Sequence, residues 1–175
     1  MVVCRKYLGF YLLLLRLYDN ACCYLQVTTI ACTSDPPIMV SDSRITDSDG
    51  LIDDTAIKIF RIKSNLIGVS GDYSVSLKII RYLKEGGDQP EIKSNDIELM
   101  MLHKSGDIYT CTHELEWVRT RMPYYAIGSG KLAVMGIFAY CQMLNLEVSA
   151  YDAVKAAAKV SDGTGGKIVR RYFRR

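Results

Sequence analysis

Histidine is almost missing from this 175-residue chain, which has only His103 and His113. Both fall in or beside one expected hairpin, which argues against a Ser-His-Asp arrangement. Any acid-base chemistry here must run without imidazole. No CxxC pair occurs among Cys4, Cys22, Cys23, Cys32, Cys111 and Cys141, and the two histidines complete no zinc spacing with them. Inert thiols in a reducing cytosol are the simplest reading, and no metal is expected. GxxxxGK[ST], HExxH and GxSxG are absent as well. No apolar run reaches the roughly 20 residues of a membrane span. The longest, residues 7–18, is broken by Arg16. Charge of one sign does not dominate either, with 22 basic residues against 19 acidic. The basic excess sits at the ends, in Arg5, Lys6 and Arg16 and in Arg170, Arg171, Arg174 and Arg175. That leaves a slightly acidic body, unsuited to a nucleic-acid footprint across the fold.

What remains is an ordinary globular chain, 49% apolar and 23% charged, long enough for one domain with its own core. Residues 28–32 and 38–40 read as strands around the turn Ser34-Asp35-Pro36-Pro37, and 47–54 as a polar loop. Residues 57–62 alternate with period 2, and 65–71 form a strand running into glycine. A helix is expected over 73–85, stopped by Gly86-Gly87. Strands 97–102 and 107–112 flank Lys104-Ser105-Gly106, and strand 124–127 enters Gly128-Ser129-Gly130. Helices over 131–144 and 149–160 follow, the second with Ser149 and Asp152 at capping-box spacing. A last strand covers 167–173. Strand runs segregated from helix runs suggest stacked sheets with helices outside them. The helix 131–144 is apolar nearly all round, more than one buried face requires.

Four short segments could carry chemistry without histidine: Thr28-Thr29, Asp42-Ser43-Arg44, Lys58 within its strand, and Gly128-Ser129-Gly130. Singly, each has a bland explanation in β-propensity, turn formation, solvent exposure or capping. In order, TTIAC (28–32), MVSDSRIT (39–46), AIKIF (56–60), GVSGD (68–72), YAIGSG (125–130) and SDGTGG (161–166) resemble the N-terminal-nucleophile hydrolases, in particular the proteasome β-type and HslV-like threonine peptidases. The resemblance implies an α+β fold. It would be a four-layer αββα sandwich of two mostly antiparallel sheets, trimmed by one helix.

It also implies roles. The Thr28 hydroxyl is the nucleophile and its α-amine the base, an amine whose unperturbed pKa of about 8 suits neutral pH. Lys58 lowers the hydroxyl's pKa, and Asp42 holds Lys58 charged. Ser129 and Asp162 orient the amine, although the position three before Thr164 is Ser161, so either residue could fill that place. The Gly71 N–H supplies the oxyanion hole, and Val69 and Tyr73 shape the substrate pocket.

Such a mechanism needs a free amine on Thr28, so residues 1–27 are expected to be a leader, a propeptide or a mis-assigned upstream translation whose true start is Val27. Residues 28–175 are the catalytic domain. The expected function is a cytoplasmic threonine endopeptidase acting on peptide or unfolded protein, in a homo-oligomeric ring, with an ATP-dependent unfoldase as candidate partner. No cofactor, nucleic acid or membrane is expected. A non-catalytic proteasome-like ring or scaffold subunit, and a small amidase of the same superfamily, are the alternatives.

Overall fold

The β-branched and apolar strands that open the domain fold back on each other at once. β2 (Thr29–Ser34) pairs with β3 (Pro37–Ser41), matching Ile30 with Ser41 and Cys32 with Met39. This computed structural model describes residues 26–27, 29–47, 50–92, 97–111 and 115–173. Residues 1–25, most of the expected leader, and Thr28 lie outside the described residues. Before β2 comes β1 (Gln26–Val27). After β3 come β4 (Ile45–Asp47), β5 (Gly50–Asp53), β6 (Ile59–Ile62) and β7 (Asn65–Asp72), then α1 (Tyr73–Glu85). The chain continues through β8 (Ile97–His103), β9 (Ile108–Cys111), β10 (Trp117–Arg119) and β11 (Tyr124–Gly128). It closes with α2 (Lys131–Met143), α3 (Ala150–Ala157) and β12 (Val169–Tyr172).

The strands form two sheets. The larger runs β10-β9-β8-β7-β1-β4-β5, with β6 also on β7, and the smaller runs β11-β2-β3-β12. Every described pairing is antiparallel. Ile30, Cys32 and Met39 of the smaller sheet meet Ile59, Leu66, Met100, Leu102 and Ile108 of the larger in a shared apolar layer. The sheets approach closely at Gly68, where a Cβ would stand 2.9 Å from Ile30 Cγ2. The opposite faces are covered too. Ala31, Val40 and Ala126 lie under Val134, Phe138, Ala153 and Val154 of α2 and α3. Ile67, Val69 and Leu99 lie under Ile79 and Ile80 of α1. Strand residues buried on both faces explain why β2 reads as a continuous apolar run rather than an alternation. The result is the expected α+β sandwich of four layers, helix, sheet, sheet, helix, with a single described helix in the α1 layer.

Local chemistry sets the helix starts. Asp72 accepts from the Ser74 and Val75 N–H groups at 2.9 and 3.1 Å, and Ser149 Oγ accepts from Asp152 N–H at 3.1 Å. Three sequence expectations need correction. Residues 47–54 are not all loop, because β4 and β5 form a hairpin matching Thr46 with Leu51 and Asp47 with Gly50. Two strands of three and four residues, rich in Asp and Gly, present in sequence as one polar stretch. The last long helix ends at Ala157, since its apolar face ends there and Lys159, Val160 and Ser161 are satisfied by turn hydrogen bonds. The three-residue β10 was too short to register as a strand.

Candidate active site

Across the two sheets β2 lies over β7, β11 over β8 and β7, and β3 over β6, β7 and β8. Asp42 follows β3 and Lys58 precedes β6, so their side chains meet between the sheets. Lys58 Nζ lies 2.8 Å from Asp42 Oδ1, and neither side chain has any solvent exposure. Nζ also donates to the Arg44 carbonyl at 2.5 Å. Asp42 does more than pair with the lysine. Its Oδ1 accepts from the Thr29 N–H at 3.0 Å, and its Oδ2 accepts from the Gly165 N–H at 2.8 Å and the Arg44 N–H at 3.3 Å. A buried carboxylate with this many charge-assisted donors is strongly held.

Alternation alone would put Ile57 and Ile59 on one face and Lys58 on the other, outward one. The structure instead turns Lys58 in (1% exposed) and Ile57 out (56%), because the strand proper begins at Ile59. Burial pushes the Lys58 ammonium below its ordinary 10.5, with the charge and hydrogen bond of Asp42 pulling it back. With a lowered folded-state value, the unfolded chain binds more protons in the window just below 10.5. This group therefore makes unfolding free energy rise as pH climbs through that window. Urea midpoints measured from neutral to alkaline pH are expected to rise more in the wild type than in Lys58→Met.

A second network joins the first through Thr29, whose side chain is fully buried. Thr29 Oγ1 and Thr164 Oγ1 are 2.6 Å apart, the Gly130 N–H donates to Thr29 Oγ1 at 3.0 Å, and the Thr164 hydroxyl donates to Ser161 Oγ at 3.1 Å. Beside it, Arg44 grips Asp54 through Nε and Nη2 at 2.9 and 3.3 Å and lies across Gly165. The packing leaves no room at Gly130, where a Cβ would sit 2.3 Å from Thr29 Oγ1. Gly130→Ala is therefore expected to separate the threonine hydroxyls and destabilise the fold by about 1–3 kcal/mol. A lowered midpoint in thermal or urea unfolding checks this.

Of the residues singled out in the sequence, Asp42 and Lys58 are in direct contact. Ser129 is exposed in the turn next to Gly130, and the turn reaches the cluster through the Gly130 backbone. Asp162 is exposed on its turn, and Ser161 makes the hydroxyl contact from that loop. Gly71, at φ 95°, lies in β7 opposite Val27 of β1. Val69 is buried toward α1, whereas Tyr73 packs on Ile45 and Ala56 and donates to the Ile57 carbonyl at 3.0 Å. Thr28 lies outside the described residues, one position before Thr29. Thr29, Arg44 and Gly130 stood in the sequence only as members of their motifs, without a role of their own, and Ser161 stood as the alternative to Asp162. Thr164 was legible only as part of SDGTGG.

No protein-family profile matches the chain, and no curated protein sequence does. Solved structures do match. Eukaryotic HslV from Trypanosoma brucei superposes with a TM-score of 0.66 at 14% identity, covering 82% of this chain and 98% of that one. BPH from Thiobacillus denitrificans gives 0.65 at 16%, over 82% and 96%. The same protein in complex with epoxomicin gives 0.64 at 17%, over 82% and 97%. The chain thus has the HslV-type fold, the architecture expected from its resemblance to the N-terminal-nucleophile hydrolases.

Proposed function

We propose that this protein is a threonine peptidase whose nucleophile is the Thr28 hydroxyl. The buried Asp42–Lys58 pair carries this reading, because Asp42 also holds the backbone N–H of Thr29, the residue after Thr28. The pair fixes a cation and the start of β2 in one rigid unit. In the proposed reaction the Thr28 oxygen attacks a peptide carbonyl carbon, and its proton passes to the Thr28 α-amine. The amine then protonates the leaving nitrogen, the C–N bond breaks, and an ester on Thr28 remains. Water, deprotonated by the same amine, hydrolyses that ester. The Lys58 ammonium favours the developing alkoxide, and the Gly71 N–H receives the oxyanion.

The route of a peptide substrate is suggested by β1. Val27 pairs with Gly71 on one side and Ile45 on the other, and Gln26 pairs with Asp72 and Thr46. These two strand edges offer the backbone groups an extended peptide needs. Removal of the leader would both free the Thr28 amine and vacate this lane. The test is hydrolysis of fluorogenic peptides by a chain that begins at Thr28, with none by Thr28→Ala. A chain beginning at Thr28 that cleaves no peptide would contradict the reading.

The proposal extends to a homo-oligomeric ring acting on unfolded protein in the cytoplasm, with an ATP-dependent unfoldase as partner. Leu132 (84% exposed), Met143 and Tyr140 leave much of α2 uncovered in a single chain. No described helix is long and apolar enough to cross a membrane. Light scattering at micromolar concentration is expected to give a multiple of the 19.7 kDa chain mass. The double variant Leu132→Glu/Met143→Glu should shift it toward monomer, and a monomeric wild type would count against the ring.

A further inference from the structure

β8 alternates strictly, with Met100 and Leu102 facing the inter-sheet layer and Leu99 facing α1. The same parity puts Glu98 on the inter-sheet face, at a solvent-reached part of it where its side chain keeps 43% exposure. It lies beside Ser70 in the β7–β8 ladder, one register step from Gly71. Its two oxygens reach across to the end of β11 and the start of α2. Oε2 accepts from the Gly128 N–H at 2.8 Å, and Oε1 pairs with Lys131 Nζ at 3.0 Å. Those partners bracket the turn Gly128-Ser129-Gly130, which opens α2 and delivers the Gly130 N–H to Thr29 Oγ1. Gly128 sits at φ 89°, so the turn takes a backbone path that other residues rarely adopt.

The strand stacking gives this contact a place in the site. Asp42–Lys58 ties β3 to β6 on one side of the Thr29 strand, and Glu98 ties β11 to β8 on the other. We propose that Glu98 is a positioning residue. It is a second clamp that fixes the Gly128–Gly130 turn against the larger sheet, so that Thr29 is held between two inter-sheet ties. The consequence for turnover rests on the peptidase reading, and the clamp itself does not.

Hydrogen exchange of the Gly130 amide tests the clamp, because Glu98 does not touch that amide. In Glu98→Ala its exchange is expected to rise about ten-fold or more, while the Ile30 and Cys32 amides in the centre of β2 stay protected. Glu98→Gln keeps an oxygen for Gly128, so it should restore slow exchange at Gly130. Unchanged Gly130 exchange in Glu98→Ala overturns the proposal. So does an equal rise in Glu98→Gln, and so does a rise shared by Ile30 and Cys32, which would mean general loosening. With the chain beginning at Thr28, Glu98→Ala is expected to lower kcat about ten-fold with KM within about two-fold. An effect on KM alone would contradict a positioning role. A wild type that cleaves no peptide would sink the peptidase reading alone, and Gly130 exchange would still decide on Glu98.

Discussion

Replacing Thr28 by alanine is expected to lower peptide hydrolysis by about four orders of magnitude or more, the scale on which removing a nucleophile acts. Alanine keeps the α-amine but has no oxygen to attack the carbonyl. Thr28→Ser restores a hydroxyl on the same amine and should retain measurable turnover. The discriminating measurement is kcat on a fluorogenic peptide for chains that begin at position 28. Full activity in Thr28→Ala would remove Thr28 from the mechanism and leave the buried ion pair as a structural feature only.

The second large effect concerns Lys58. Lys58→Ala leaves the Asp42 carboxylate buried without its cation, although the N–H groups of Thr29, Gly165 and Arg44 still point at it. Breaking a buried pair from one side costs about 3–5 kcal/mol. For a domain of this size that lowers the melting temperature by roughly 10 °C or more. Activity should fall further than stability explains, by about 10²–10³-fold, because the proposed mechanism loses the cation that favours its developing alkoxide. The double variant Asp42→Asn/Lys58→Met separates the two effects. Replacing both charges with neutral groups should recover much of the melting temperature and none of the activity. Recovery of both would mean that the pair serves folding alone.

The layers and most elements were legible because apolar runs, glycine stops and caps are local signals. Gly86-Gly87 after α1 and Ser149 with Asp152 at the start of α3 are examples. The hairpin of β4 and β5 was not, since three- and four-residue strands around Asp47 and Gly50 carry too little periodicity. The site was legible as an ordered set of motifs, not as a geometry. Nothing local tells that Lys58 turns inward, because its burial is decided by where β6 begins and by Asp42 sixteen positions earlier. Thr29 reads as plain β-propensity until β2 is paired with β11, which brings it to Gly128. In the last loop Asp162 had the expected chemistry, but Ser161 has the contact, since a one-place shift on a tight turn changes which side chain faces inward. Glu98 gave no signal beyond being a polar residue in step with Met100 and Leu102. Its partners come from the end of β11 and the start of α2, 30 residues or more away in sequence.

The central claim is that the hydroxyl and the free amine of Thr28 act together. The most direct test compares peptide hydrolysis by two preparations identical except at the start, one beginning at Thr28 and one retaining Val27, with intact masses confirming both. The account predicts turnover from the first and none from the second, because an amide nitrogen cannot accept the proton and Val27 still lies between Ile45 of β4 and Gly71 of β7. Equal turnover from the chain that keeps Val27 would contradict it.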